Sequence, residues 1–119
     1  SSIYRVNING WQVLPTPDGN LPSSMGIDKQ SGALYAITQS SPATLSRTDN
    51  ARAANVANVA WKPVAKFYPE WSNVTLLTIA NTNTGPVVFV KATLADGYSR
   101  TYRSVGSLAD GLWQQVVFN

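Results

Sequence analysis

WSNVTLLTIANTNTGPVVFVKATLADGYSRTY, residues 71–102, decides the fold class. Residues 74–80 are apolar and rich in β-branched side chains, and residues 81–86 form a turn cluster. Residues 87–95 are a second apolar run, Asp96-Gly97 is a two-residue turn signal, and residues 98–104 are a third run. Runs of this composition, punctuated by Asn, Asp, Gly and Pro, read as antiparallel strands joined by tight turns.

A two-residue turn at Asp96-Gly97 sets Ala95 opposite Tyr98, Thr93 opposite Arg100 and Lys91 opposite Tyr102, and opposed side chains share a face. One face then carries Phe89, Lys91, Thr93, Tyr98, Arg100 and Tyr102. The other carries Val88, Val90, Ala92 and Leu94 and reads as a core face. A slip of one residue would exchange the faces.

Outward from this stretch the same grammar repeats. Residues 2–15, SIYRVNINGWQVLP, hold an Asn9-Gly10 hairpin signal that opposes Ile8 to Trp11, Val6 to Val13 and Tyr4 to Pro15 on one apolar face. Residues 16–30 are turn chemistry, with Met25 and Ile27 as pins to the core, and residues 33–38 are a short strand. The alanine-rich residues 45–58 follow neither period and read as a loop with at most one helical segment. Residues 59–67 are a strand interrupted at Pro63, which implies an edge or a bulge. Residues 112–118, LWQQVVF, make a last strand. Seven or eight short strands without a long helix predict one all-β domain over residues 1–119, an antiparallel β-sandwich or jelly roll. Val6, Ile8, Trp11, Val13, Val88, Val90, Leu94 and Val117 are its expected core.

Composition excludes several chemistries. The 119 residues contain no cysteine and no histidine, which removes thiolate and imidazole nucleophiles, bases and metal ligands together. The net charge is +3, but only 13% of residues are charged, so the surface is built from Ser, Thr, Asn and Gln. No dense basic cluster favours nucleic acid, and no stretch approaches the length of a membrane span. No cofactor-binding fingerprint is present. Among the six carboxylates, Asp18, Asp96 and Asp110 precede glycine and Asp49 lies in Thr-Asp-Asn, all turn positions. Asp28 and Glu70 remain as the pair on which a small glycan hydrolase would have to rely. The chain is therefore expected not to be an enzyme. Asn73-Val74-Thr75 matches the glycosylation triplet, a pattern common by chance.

Binding is the alternative. Tyr98, Arg100 and Tyr102, with Lys91 beside them and Trp71 as a stacking platform, are the candidate ligand-binding residues. Tyrosine faces suit the apolar side of a sugar ring, and arginine forks onto a carboxylate or phosphate of an acidic polysaccharide. The same face suits burial between subunits, and the sequence does not separate the two uses. Trp11 and Trp113 lie inside strands and read as core.

The Ser/Thr/Asn/Gln-rich surface, the absence of Cys and His, the stretch GIDKQSGALYAIT at residues 26–38 and the strand near the last residue resemble the distal receptor-binding domains of bacteriophage tail fibres and similar virion attachment proteins. The resemblance implies a homotrimeric β-sandwich or jelly-roll head, carried on a virion or otherwise extracellular, that binds host-surface polysaccharide or protein. It carries no binding residue onto a position of this chain. A carbohydrate-binding module of a secreted enzyme and a structural module of a larger assembly are the alternative expectations.

Overall fold

The computed structural model describes residues 3–7, 10–40 and 42–117. Among them the chain runs through ten strands: β1 (Ile3–Asn7), β2 (Gly10–Leu14), β3 (Ser24–Ile27), β4 (Leu34–Thr38), β5 (Thr44–Thr48), β6 (Lys62–Lys66), β7 (Ser72–Thr82), β8 (Gly85–Thr93), β9 (Ser99–Val105) and β10 (Leu112–Gln115). Among the described residues the helical content is single 3-10 turns at Val56–Asn58 and Leu108–Asp110, and Pro17–Gly19 is a turn with Asp18 in the left-handed region. All pairings are antiparallel, in a four-stranded sheet β3-β4-β5-β6, a second one β10-β9-β8-β7, and a separate hairpin β1-β2. Each large sheet is a meander in chain order. The fold is thus all-β and sandwich-like, without the exchange of strands between sheets that makes a jelly roll.

The core lies between the two meanders. Tyr35, Ile37, Leu45 and Ala65 from the first sheet meet Val74, Leu76, Val88, Val90, Ala92, Tyr102 and Trp113 from the second, all buried. Val88 and Val90 take the core positions expected of them. At one side the sheets close on each other. Gly26 faces inward on β3, where a Cβ would lie 2.6 Å from Leu76 Cδ2, so the missing side chain admits β7. The Leu76 N–H donates to Ser24 Oγ at 2.9 Å, and the Gln39 side-chain amide donates to the Val74 carbonyl at 2.8 Å. These bonds cover the β3 and β7 edges, which otherwise invite pairing with another chain.

A second, smaller layer lies outside the first sheet. Ala36, Ser46 and Thr48 point to its outer side, yet all three are buried. Residues 49–61 meet this side at Thr48, and the β1-β2 hairpin lies against residues 49–61. Asn50 accepts from Thr48 Oγ1 and from the Ala60 N–H, and its amide donates to the Asn58 carbonyl. The Trp61 indole donates to the Pro15 carbonyl at 2.7 Å, and Arg5 Nη1 donates to the Ala51 carbonyl at 2.7 Å. Ile3, Leu14 and Val59 form the small apolar cluster beneath, packed by Ala53, Val56 and Trp61.

Several expectations need correction. Thr44–Thr48 is a strand inside the first sheet, although residues 45–58 read as a loop. Its inward Leu45 is flanked by Thr and Ser, a pattern too polar for a periodicity argument. Pro63 stands on the edge strand β6, opposite Ser46 and beside a bulge, as its chemistry required. Met25 and Ile27 lie on a strand but face outward, because Gly26 and Ser24 take the inner positions. Val6, Trp11, Val13 and Val117 are exposed and Leu94 is half-buried, while Ile8 lies outside the described residues. In the first hairpin Val6 faces Trp11 and Tyr4 faces Val13, two residues from the register expected of an Asn9-Gly10 turn, so the same residues still share a face. Asn9 also lies outside the described residues.

Candidate functional site

The five residues expected to bind ligand do not form one surface. At the β8-β9 turn the Gly97 N–H donates to the Leu94 carbonyl and the Leu94 N–H to the Tyr98 carbonyl, both at 2.9 Å. Gly97 has φ +84°. This is a three-residue loop in which glycine forms a left-handed bulge, in place of a two-residue turn. The extra residue shifts the register by one, pairing Val90 with Tyr102, Ala92 with Arg100 and Lys91 with Thr101. Tyr102 therefore joins the core face, and its ring centroid lies 4.3 Å from that of buried Trp71. Lys91 is exposed on the opposite face of the sheet. Arg100 is tied to Asp96 by an ion pair of 3.0 Å. Of the five, the structure brings together Trp71 and Tyr102, in the core; Tyr98 projects into solvent alone.

The carboxylates also have local work. Asp49 accepts from Arg47, whose Nη1 also donates to the hydroxyl of fully buried Tyr35. Burial pushes the Tyr35 phenol up, partly offset by the Arg47 charge. Asp110 closes a capping box with Ser107. Asp96 accepts from Arg100 and from the Tyr98 N–H, which hold its carboxyl below the usual range. Glu70 is exposed.

Asp28 is the buried member of the set. It accepts from the Gln30 N–H at 3.0 Å, the Ser31 hydroxyl at 2.8 Å, the Ser31 N–H and the Asn81 amide. Burial is the largest single influence and opposes ionisation, but these donors together outweigh it and lower the pKa. Asp28 thus ties the β3-β4 turn to β7. Asp28→Ala is expected to cost about 1–3 kcal/mol, the penalty of leaving buried donors unpaired, read by urea unfolding at neutral pH. The sign of the pH dependence follows from the lowered folded-state pKa. Ionised Asp28 stabilises the fold above the ordinary carboxyl value of 3.8, and this contribution is lost as pH falls through the lower folded value. The stability gap between wild type and variant should shrink on acidification below about pH 4.

The feature the sequence reading misplaced is the outer face of the β1-β2 hairpin. Tyr4, Val6, Trp11 and Val13 share that face and are 56%, 61%, 74% and 54% exposed. The Tyr4 and Trp11 rings meet edge to face at 6.3 Å and 88°. A groove of about 550 Å³ runs between this hairpin and the first sheet, lined by Tyr4, Val6, Met25, Ile27 and Leu34 with Arg5 and Arg52. Arg5 is engaged by Gln12 and the Ala51 carbonyl. Alternation alone assigned the larger apolar set to the core. The contrary signal was Ile3 and Leu14 on the other face, since a hairpin apolar on both sides buries one and presents the other.

No protein-family model matches the chain, and no curated protein or solved structure is detectably similar to it.

Proposed function

We propose that the chain is a non-catalytic interaction module that contacts its partner through the outer face of the β1-β2 hairpin. The observation that carries this reading is the set Tyr4, Val6, Trp11 and Val13, each more than half exposed on one face. A small water-facing domain rarely leaves a contiguous apolar patch of this size unless something docks there. The engagement of Asp28, Asp49, Asp96 and Asp110 within their own chain favours binding over catalysis. An assembly module of a virion or extracellular complex accommodates these features. The test uses Tyr4→Ser and Trp11→Ser at sub-micromolar concentration. Both should unfold in urea within about 0.5 kcal/mol of wild type, as surface substitutions do, while losing the fluorescence enhancement of an apolar dye. A loss of several kcal/mol would mean that the face packs inside the domain, and the reading would fail.

A second reading is favoured by the exposed Tyr4–Trp11 pair. Two exposed aromatic rings, with Arg52 lining the groove beside Tyr4, offer a stacking surface for a polysaccharide, the ligand class expected from the sequence. A glycan array on wild type and Trp11→Ser separates the readings. Binding that disappears with Trp11 supports the glycan, and absence of binding at any valency supports a protein partner.

A further inference from the structure

We infer that the partner on this face is a second copy of the chain, paired two-fold through the β1-β2 hairpins. The inference rests on the reading above and adds the identity of the occupant. Three observations support it. The first is area. Tyr4, Val6, Trp11 and Val13 continue through the groove to Met25 and Ile27, which are 39% and 46% exposed. Together these side chains present on the order of several hundred Å² of apolar surface, the scale that each partner contributes to a specific pair.

The second is shape. Trp11 is the most exposed of these side chains, and the groove opens beside Tyr4 and Val6 on the strand paired with it. A projecting ring beside a groove lets each copy seat its Trp11 against the other, the reciprocal arrangement of an isologous two-fold contact. Two-fold pairing seats both knobs across a single interface, and the trimer implied by the attachment-protein resemblance is the competing arrangement.

The third is backbone. The hairpin is a two-stranded sheet of its own, with no third strand among the described residues. Such a ribbon is marginal in water until an apolar face is covered. Its inner face packs Ile3 and Leu14 against Val59, and its outer face is open. Burying Trp11 at the centre of a pair places a large aromatic where interface energy concentrates.

Sedimentation of the full chain from roughly 1 to 100 µM, a range that resolves micromolar dissociation, tests the inference. Wild type should rise from the mass of one copy to that of two, and Trp11→Ser should stay at one copy with an unchanged circular dichroism spectrum. Added salt should strengthen the wild-type pairing, because each copy carries +3 and the contact is apolar. An acidic partner or glycan would be weakened by salt instead. Acrylamide quenching provides the second measurement, since Trp71 and Trp113 are buried and Trp61 is half-buried. Quenching should fall as the pair forms. A chain that stays single at every concentration while Trp11 remains open to acrylamide overturns the second copy and leaves the docking face intact. Trp11 shielded in the dilute monomer overturns both. A trimer overturns the two-fold arrangement.

Discussion

Trp71→Ala is expected to destabilise the fold by about 3–5 kcal/mol, the range for removing a large buried aromatic, seen as a fall in the urea midpoint with no change in slope. Trp71 is 7% exposed and sits at the centre of an aromatic cluster. Its ring centroid is 4.3 Å from Tyr102, 4.8 Å from Tyr68, and 6.2 Å from both Phe67 and Trp113. The cluster joins the corner after β6 to β9 and β10, so it ties the end of the first meander to the far strands of the second. Tyr68 reinforces the tie by accepting from the Trp113 N–H at 3.0 Å, and the Trp113 indole donates to the Lys66 carbonyl at 3.3 Å. Small domains have about 5–15 kcal/mol of stability in total. The loss is therefore large enough to show in the near-ultraviolet dichroism of the native state. A ligand platform would behave differently, losing binding while leaving the midpoint in place.

The same cluster explains how far the sequence could be read. Strand existence was legible wherever β-branched or aromatic residues ran together, as at Val87-Val88-Phe89-Val90. It failed at Thr44–Thr48, where one leucine sits between hydroxyl residues whose burial comes from residues 49–61 lying across the sheet. That covering is a tertiary event, and local propensity does not encode it. The candidate site was less legible for two reasons. Asp-Gly serves both a two-residue turn and a three-residue loop with a glycine bulge, and the choice between them reverses every side chain of one strand. Alternation also locates an apolar face without saying whether the domain or a partner covers it. Tyr4, Val6, Trp11 and Val13 satisfy the pattern of a core strand, and their exposure follows from the opposite face of the hairpin taking the packing contact.

Tyr102→Ala and Tyr98→Ala form a paired prediction that tests the register directly. The two residues lie on the same strand run and read alike in the sequence, but the structure gives them opposite environments: Tyr102 is 8% exposed and Tyr98 is 69% exposed. Tyr102 pairs with Val90, and its ring packs on Trp71. Truncating it removes that contact and leaves a cavity beside Val90, at an expected cost of about 3–5 kcal/mol. Tyr98 contributes its backbone N–H to Asp96, a bond that alanine retains, so Tyr98→Ala is expected to stay within about 0.5 kcal/mol of wild type. The two-residue turn would instead place both tyrosines on one solvent-facing surface and make both substitutions cheap. Equal, small effects in urea unfolding would therefore restore that turn and reopen the Tyr98, Arg100 and Tyr102 surface. A gap of several kcal/mol supports the glycine bulge and the burial of Tyr102 that goes with it.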